Sequence, residues 1–167
     1  MLLDFLNNHL LRVAVIAFFT AQTAKFLLSW AVEKKPRLSR LVGDGGMPSG
    51  HSATVTALSA AIGYTVGFGT PLFALSLIFA IVVMHDAKGV RRETGKQAIS
   101  ILLLFDTINK LLKAKDKIEQ EEELKTLVGH SPLQVFFGAV LGVIVVVLYI
   151  LIFALEPYCY AGALTHF

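Results

Sequence analysis

Apolar residues fall along this chain in runs that are too long for strands. Leu133 to Leu155 is a charge-free run of 23 residues, and a helix crossing a bilayer needs about 20. Leu10 to Val32 is long enough as well, but it carries Arg12, Gln22 and Lys25. Ser52 to Met84 has 33 residues and no charge, interrupted by Gly67-Phe68-Gly69-Thr70-Pro71. Glycine and proline are strong local breakers. The pattern therefore predicts spans over about 10–32 and 133–155, with a hairpin of two short spans, about 52–66 and 72–84, between them. The polar stretch His85 to Gly95 reads as the loop that closes the hairpin. From Gln97 to about Leu127, Ile99, Leu102, Leu103, Ile108, Leu111 and Leu112 recur at spacings near three and four, as on a helix face. The second half of that helix, Lys113 to Lys125, is highly charged and must be wet. The last span opens at Ser131-Pro132, where serine suits the N-cap and proline the first turn.

Ile99 to Leu112 would rise only about 21 Å as a helix, short of a hydrocarbon core of about 30 Å, and it contains Asp106 and Lys110. It reads as non-crossing or re-entrant. The expected architecture is all-α: a polytopic membrane helical bundle of four or five spans, one domain over 1–167, with a charged cytoplasmic helix. With four spans, the segments 33–50, 85–95 and 96–131 share one face. That face then holds 13 of the 15 basic residues, and the positive-inside rule puts it in the cytoplasm.

Composition sharpens this picture. The chain is 55% hydrophobic and 16% charged, against about 25% charged in soluble domains. That excludes a disordered tail. A soluble bundle would need a polar face on every surface helix, and the last run has none. Cys159 is the single cysteine, so no internal disulfide and no cysteine-based zinc site can form. The net charge of +3 comes without any of the usual nucleic-acid motifs. No nucleic-acid partner and no metal or other cofactor is expected.

Four groups of residues could do chemistry. Gly43-Asp44-Gly45-Gly46-Met47-Pro48-Ser49-Gly50-His51-Ser52 is a glycine-rich loop feeding a helix N-terminus, where outward N–H groups and the helix dipole favour an anion. It also reads as a plain loop with a capping serine. Arg91 and Arg92, near Asp86, are either topology markers or planar donors for phosphate oxygens. Gly129-His130-Ser131-Pro132 sets a histidine at a second helix N-terminus. Lys25, with Gln22, lies inside the first span, where ionisable residues are costly and usually functional, although Lys25 can also snorkel. Arg12 snorkels more readily, and His9, His85 and His166 lack a matching context. Gly138-x-x-x-Gly142 permits close helix packing, either within the subunit or across a homodimer.

Together these residues resemble a known family. Gly46-Met47-Pro48-Ser49-Gly50-His51-Ser52 is similar to the Pro-Ser-Gly-His motif of the type-2 phosphatidic acid phosphatases and vanadium haloperoxidases. Met84-His85-Asp86-Ala87-Lys88-Gly89-Val90-Arg91-Arg92 with Gly95 and Gln97-Ala98 resembles the divergent branch of that superfamily. So do Ala21-Gln22 with Lys25, and Gly129-His130-Ser131-Pro132 with Gly138 and Gly142.

The resemblance implies a metal-independent phosphatase acting on a lipid phosphate in a bacterial inner membrane or a plastid membrane. His130 would be the nucleophile and His51 the general acid. Ser49, Gly50 and one or both of Arg91 and Arg92 would bind phosphate oxygens, and Lys25 or a basic residue of the 34–40 loop would supply the remaining positive charge. Three features depart from the superfamily pattern. The Lys-x6-Arg-Pro motif is absent in that form. Arg92 and His130 are 38 positions apart, where the usual spacing is Arg-x5-His. The position four after His130, usually aspartate, is Gln134, which can accept a hydrogen bond but carries no charge. Asp86 is the candidate to replace that aspartate. The alternatives are a non-catalytic phospholipid binder or transporter that keeps the phosphate site, and a scaffold whose charged 113–125 helix docks a partner.

Overall fold

The computed structural model describes residues 7–34, 46–111 and 130–153. Five helices account for nearly all of them: α1 (His9–Glu33), α2 (Gly50–Thr65), α3 (Pro71–Lys88), α4 (Val90–Leu111) and α5 (Pro132–Phe153). No strand occurs among the described residues. The distal half of the charged helix, 113–125, lies outside them.

Local chemistry sets the helix ends. Asn8 caps α1 by accepting the Leu11 N–H, and Lys34 ends it in the left-handed conformation with its N–H on the Trp30 carbonyl. The interruption at 67–71 is a turn. Thr70 caps α3 through the Phe73 N–H, and Pro71 takes the first helical position, where its missing N–H costs nothing. The expected loop over 85–95 is different. Helix α3 runs on through Lys88, and α4 begins at Val90, so Gly89 alone separates them. Lysine, arginine, glutamate and glutamine are good helix formers, and polarity there marks a wet surface without breaking the helix.

Three stretches are long and apolar enough to cross a membrane: His9–Ala31, the Pro71–Leu111 stretch and Pro132–Phe153. Their outward faces carry large apolar side chains such as Phe19, Leu75, Ile78, Phe136, Leu148 and Leu151, which only lipid can cover at low cost. Helix α2 differs. Its 16 residues rise about 24 Å, and it packs among α1, α3 and α5.

The core is built from small residues at four-residue spacing. Val13, Ala17 and Ala21 line α1, and Ala53, Ala57 and Ala61 line α2. Helix α5 answers with Gly138 and Gly142. A methyl group at 138 would lie 2.5 Å from the Ser49 carbonyl oxygen, and one at 142 would lie 2.5 Å from that of Ala53. Both glycines therefore seat α2 of the same chain. Between α2 and α3, the Ser76 hydroxyl donates to that of Ser59 at 3.3 Å.

Two ends of the bundle result. One gathers the N-terminus of α1, the 66–70 turn and the C-terminus of α5, held by His9 Nδ1 and the Tyr149 hydroxyl 3.0 Å apart. The other gathers the C-termini of α1 and α3 with the N-termini of α2, α4 and α5. The first turn of any helix carries N–H groups without intrahelical partners, and Ser49 and Ser131 cap some of those of α2 and α5.

Candidate active site

Two backbone hydrogen bonds assemble the second end. The Ser49 N–H donates to the Gln134 carbonyl at 3.0 Å, tying the start of α2 to the first turn of α5. The His130 N–H donates to the Ala87 carbonyl at 2.9 Å, tying the entry to α5 onto the last turn of α3. Segments far apart in sequence are thereby brought to one place.

Ser49 is the N-cap of α2 and is fully buried. Its hydroxyl oxygen accepts from the Ser52 N–H at 3.3 Å and from the Ser52 hydroxyl at 3.0 Å. It is a capping serine, as one reading of the loop had it, and its own O–H remains to donate. Gly50 is buried in the first turn and faces Phe18 and Gln22 of α1. His51 is half-buried and His130 is 1% exposed. Their rings stand 6.1 Å apart, centre to centre, at 87°.

Lys25 is 3% exposed. It continues the four-residue stripe of Val13, Ala17 and Ala21, so the face that buries alanines higher up buries a lysine at the site. Its Cγ and Cδ pass 3.2 and 3.3 Å from where a Cβ on Gly46 would be. Gly46 has φ +101, so it meets both needs of that position: a left-handed backbone and room for the lysine stem. Asp86 is half-buried in the last turn of α3, next to Ala87. Arg91 and Arg92 lie in the first turn of α4, four and five residues beyond Ala87. Their side chains fall outside what the structure describes.

The structure thus brings together the Ser49–His51 segment, His130 and the end of α3 that carries Asp86, with Lys25 against Gly46 on the approach loop. Two contacts lie outside what the sequence reading named. One is the Lys25–Gly46 seat, for which no spacing rule exists. The other is Gln134. Its Oε1 accepts the Ser131 N–H at 2.8 Å, and its own N–H donates to the Ser131 hydroxyl at 3.3 Å. This is a reciprocal capping box, legible in Ser131-Pro132-Leu133-Gln134. The acceptor that could have oriented the His130 ring is engaged with a backbone amide instead.

A family model described as the divergent PAP2 family matches residues 6–145. The chain belongs to that family. PAP2 denotes the type-2 phosphatidic acid phosphatases, and the match contains every site residue named above. The chain is also 40% identical over 148 residues to the uncharacterized membrane protein YuiD of Bacillus subtilis (strain 168), covering 85% of this chain and 94% of that one. No solved structure matches. This divergent PAP2 chain is a helical membrane protein.

Proposed function

We propose that this protein is a membrane phosphatase that hydrolyses a phosphomonoester, in the first place that of a lipid phosphate, through a phosphohistidine. The observation that carries the reading is the His51–His130 pair, 6.1 Å apart. It sits where two helix N-termini converge with a buried Ser49.

In the first step a ring nitrogen of His130 attacks phosphorus and forms the P–N bond as the P–O bond to the lipid breaks. His51, protonated, gives its proton to the departing alkoxide oxygen. In the second step neutral His51 takes a proton from water. The hydroxide attacks phosphorus, the P–N bond breaks, and inorganic phosphate leaves with His130 restored. Each positioned proton transfer is worth roughly 10²–10⁴ in rate. Lys25, the α2 N-terminus with Ser49 and Gly50, and Arg91 and Arg92 neutralise the phosphoryl oxygens, which is the main electrostatic contribution to such a transfer. Metal-independent turnover follows from cationic side chains taking that role. We place the site at the cytoplasmic face of a bacterial inner membrane or a plastid membrane, as the positive-inside rule applied to the sequence suggests.

A second reading, a phospholipid-binding or transport protein that keeps the phosphate site without hydrolysis, is favoured by Gln134 standing where an aspartate is usual. One experiment separates the two. Purified protein is given a panel of lipid phosphates with a chelator present, and released phosphate is measured. The phosphatase turns over at least one of them, is inhibited by vanadate and is silenced by His130→Ala. Headgroup binding without phosphate release selects the second reading.

A further inference from the structure

Gln134 serves both halves of the site from one position. Its side chain holds the amide of Ser131, the residue after His130, at 2.8 Å. Its carbonyl holds the amide of Ser49, two residues before His51, at 3.0 Å. Within an α-helix that carbonyl already faces the N–H of residue 138, and a carbonyl oxygen has two lone pairs. Ser49 reaches the second because Gly138 has no side chain. A methyl at 138 would stand 2.5 Å from the Ser49 carbonyl oxygen, 2.9 Å from Ser52 Cβ and 3.1 Å from Ser49 Cβ. The two histidines come from segments some 80 residues apart in sequence, and their connection runs through one turn of α5.

We propose that Gln134 and Gly138 are positioning residues that set the separation of His51 and His130. The Gln134 side chain fixes the entry to α5, and the bare Gly138 lets the Ser49 loop dock on the same turn. The role deepens the phosphatase reading and rests on it. It also explains why a glutamine works at 134: what the position requires is an acceptor long enough to reach back three residues, and a negative charge is not needed. A misplacement of about 1 Å in a reacting group costs up to roughly 10² in rate.

The test uses the full chain in detergent with Gln134→Ala, Gln134→Glu and Gly138→Ala. Three quantities are read: kcat and KM on a lipid phosphate, amide exchange at Ser131, and the ring resonances of His130 in protein labelled with ¹⁵N-histidine. Gln134→Ala should lower kcat about tenfold or more with little change in KM, speed Ser131 exchange and shift the His130 ring signals. Gln134→Glu, which keeps the acceptor, should restore all three. Gly138→Ala should lower kcat while Ser131 exchange stays slow.

The proposal is overturned if Gln134→Ala keeps its kcat and its His130 signals, or if Gln134→Glu behaves like Gln134→Ala. If the wild-type chain releases no phosphate, the phosphatase reading fails. The exchange and ring signals still decide whether Gln134 positions His130.

Discussion

Each end of the bundle holds a histidine ring edge-on to another ring at nearly the same distance. At one end His9 meets Tyr149 at 6.0 Å and 68°, and at the other His51 meets His130 at 6.1 Å and 87°. The geometry is alike and the surroundings are not. His9 shares a hydrogen bond with a phenol, and the pair closes α1 onto α5. His51 stands beside a second titratable ring, at converging helix N-termini. Burial sharpens the contrast. The first end buries Tyr149 and Thr65, whose hydroxyl is spent on the Ala61 carbonyl of its own helix, whereas the second buries Ser49 and His130, with Lys25 on the adjoining stretch of α1. Burying polar and charged groups is costly unless they are well partnered, and sites with such groups are functional candidates.

The largest expected difference between the ends is in turnover. His130→Ala should lower phosphate release by at least about 10³-fold, as removal of a covalent nucleophile does, while His9→Ala leaves it within about twofold. Equal losses from the two variants, measured per folded molecule, would erase the distinction. Lys25→Met comes next. It keeps the stem that lies on Gly46 and removes the charge. A hydrogen bond to a charged group is worth about 1.5–3 kcal/mol, so kcat/KM should fall about ten- to a hundredfold, and inorganic phosphate should inhibit correspondingly less. An unchanged inhibition constant would remove Lys25 from the anion site.

Between the two ends the prediction concerns packing. Gly142→Ala places a methyl 2.5 Å from the Ala53 carbonyl oxygen and 3.1 Å from the Ala57 nitrogen. Overpacking of this kind costs about 1–3 kcal/mol, read as a lower melting temperature in detergent. A variant as stable as the wild type would mean that α2 and α5 are less tightly apposed than the structure has them.

Much of this was legible in the residues. Runs such as Leu133 to Leu155 declare helices because no other backbone satisfies itself inside lipid. Pro-Ser-Gly-His and Gly-His-Ser-Pro pointed to one site because histidines at helix starts are chemically suggestive in pairs. What escaped has physical causes. Hydrophobicity alone does not separate a helix facing lipid from one facing protein, so the 52–66 and 72–84 runs looked equivalent. Side-chain size does separate them: Ala53, Ala57, Ser59, Ala61 and Gly63 mark the central α2, and Leu75, Ile78, Phe79 and Val82 mark the outer α3. The His85–Gly95 stretch looked like a loop because charge was taken for irregularity. Gln134 was weighed by its charge, and its reach back to Ser131 was overlooked.

The smallest effect belongs to the His9 end. Tyr149 is buried, and its hydroxyl meets His9 Nδ1 at 3.0 Å. Tyr149→Phe removes the hydroxyl and preserves the ring contacts with His9 and with Phe153, whose ring centre is 4.5 Å away. His9 is only half-buried, so water can replace the lost partner, and the cost should sit within the usual range for one hydrogen bond, about 0.5–1.5 kcal/mol. The melting temperature should drop slightly. Turnover should hold, because sixteen residues of helix, about 24 Å, separate His9 from Lys25. A fall in kcat from this substitution, in protein that still melts cooperatively, would mean that α1 transmits strain along its length and that the two ends work as one device.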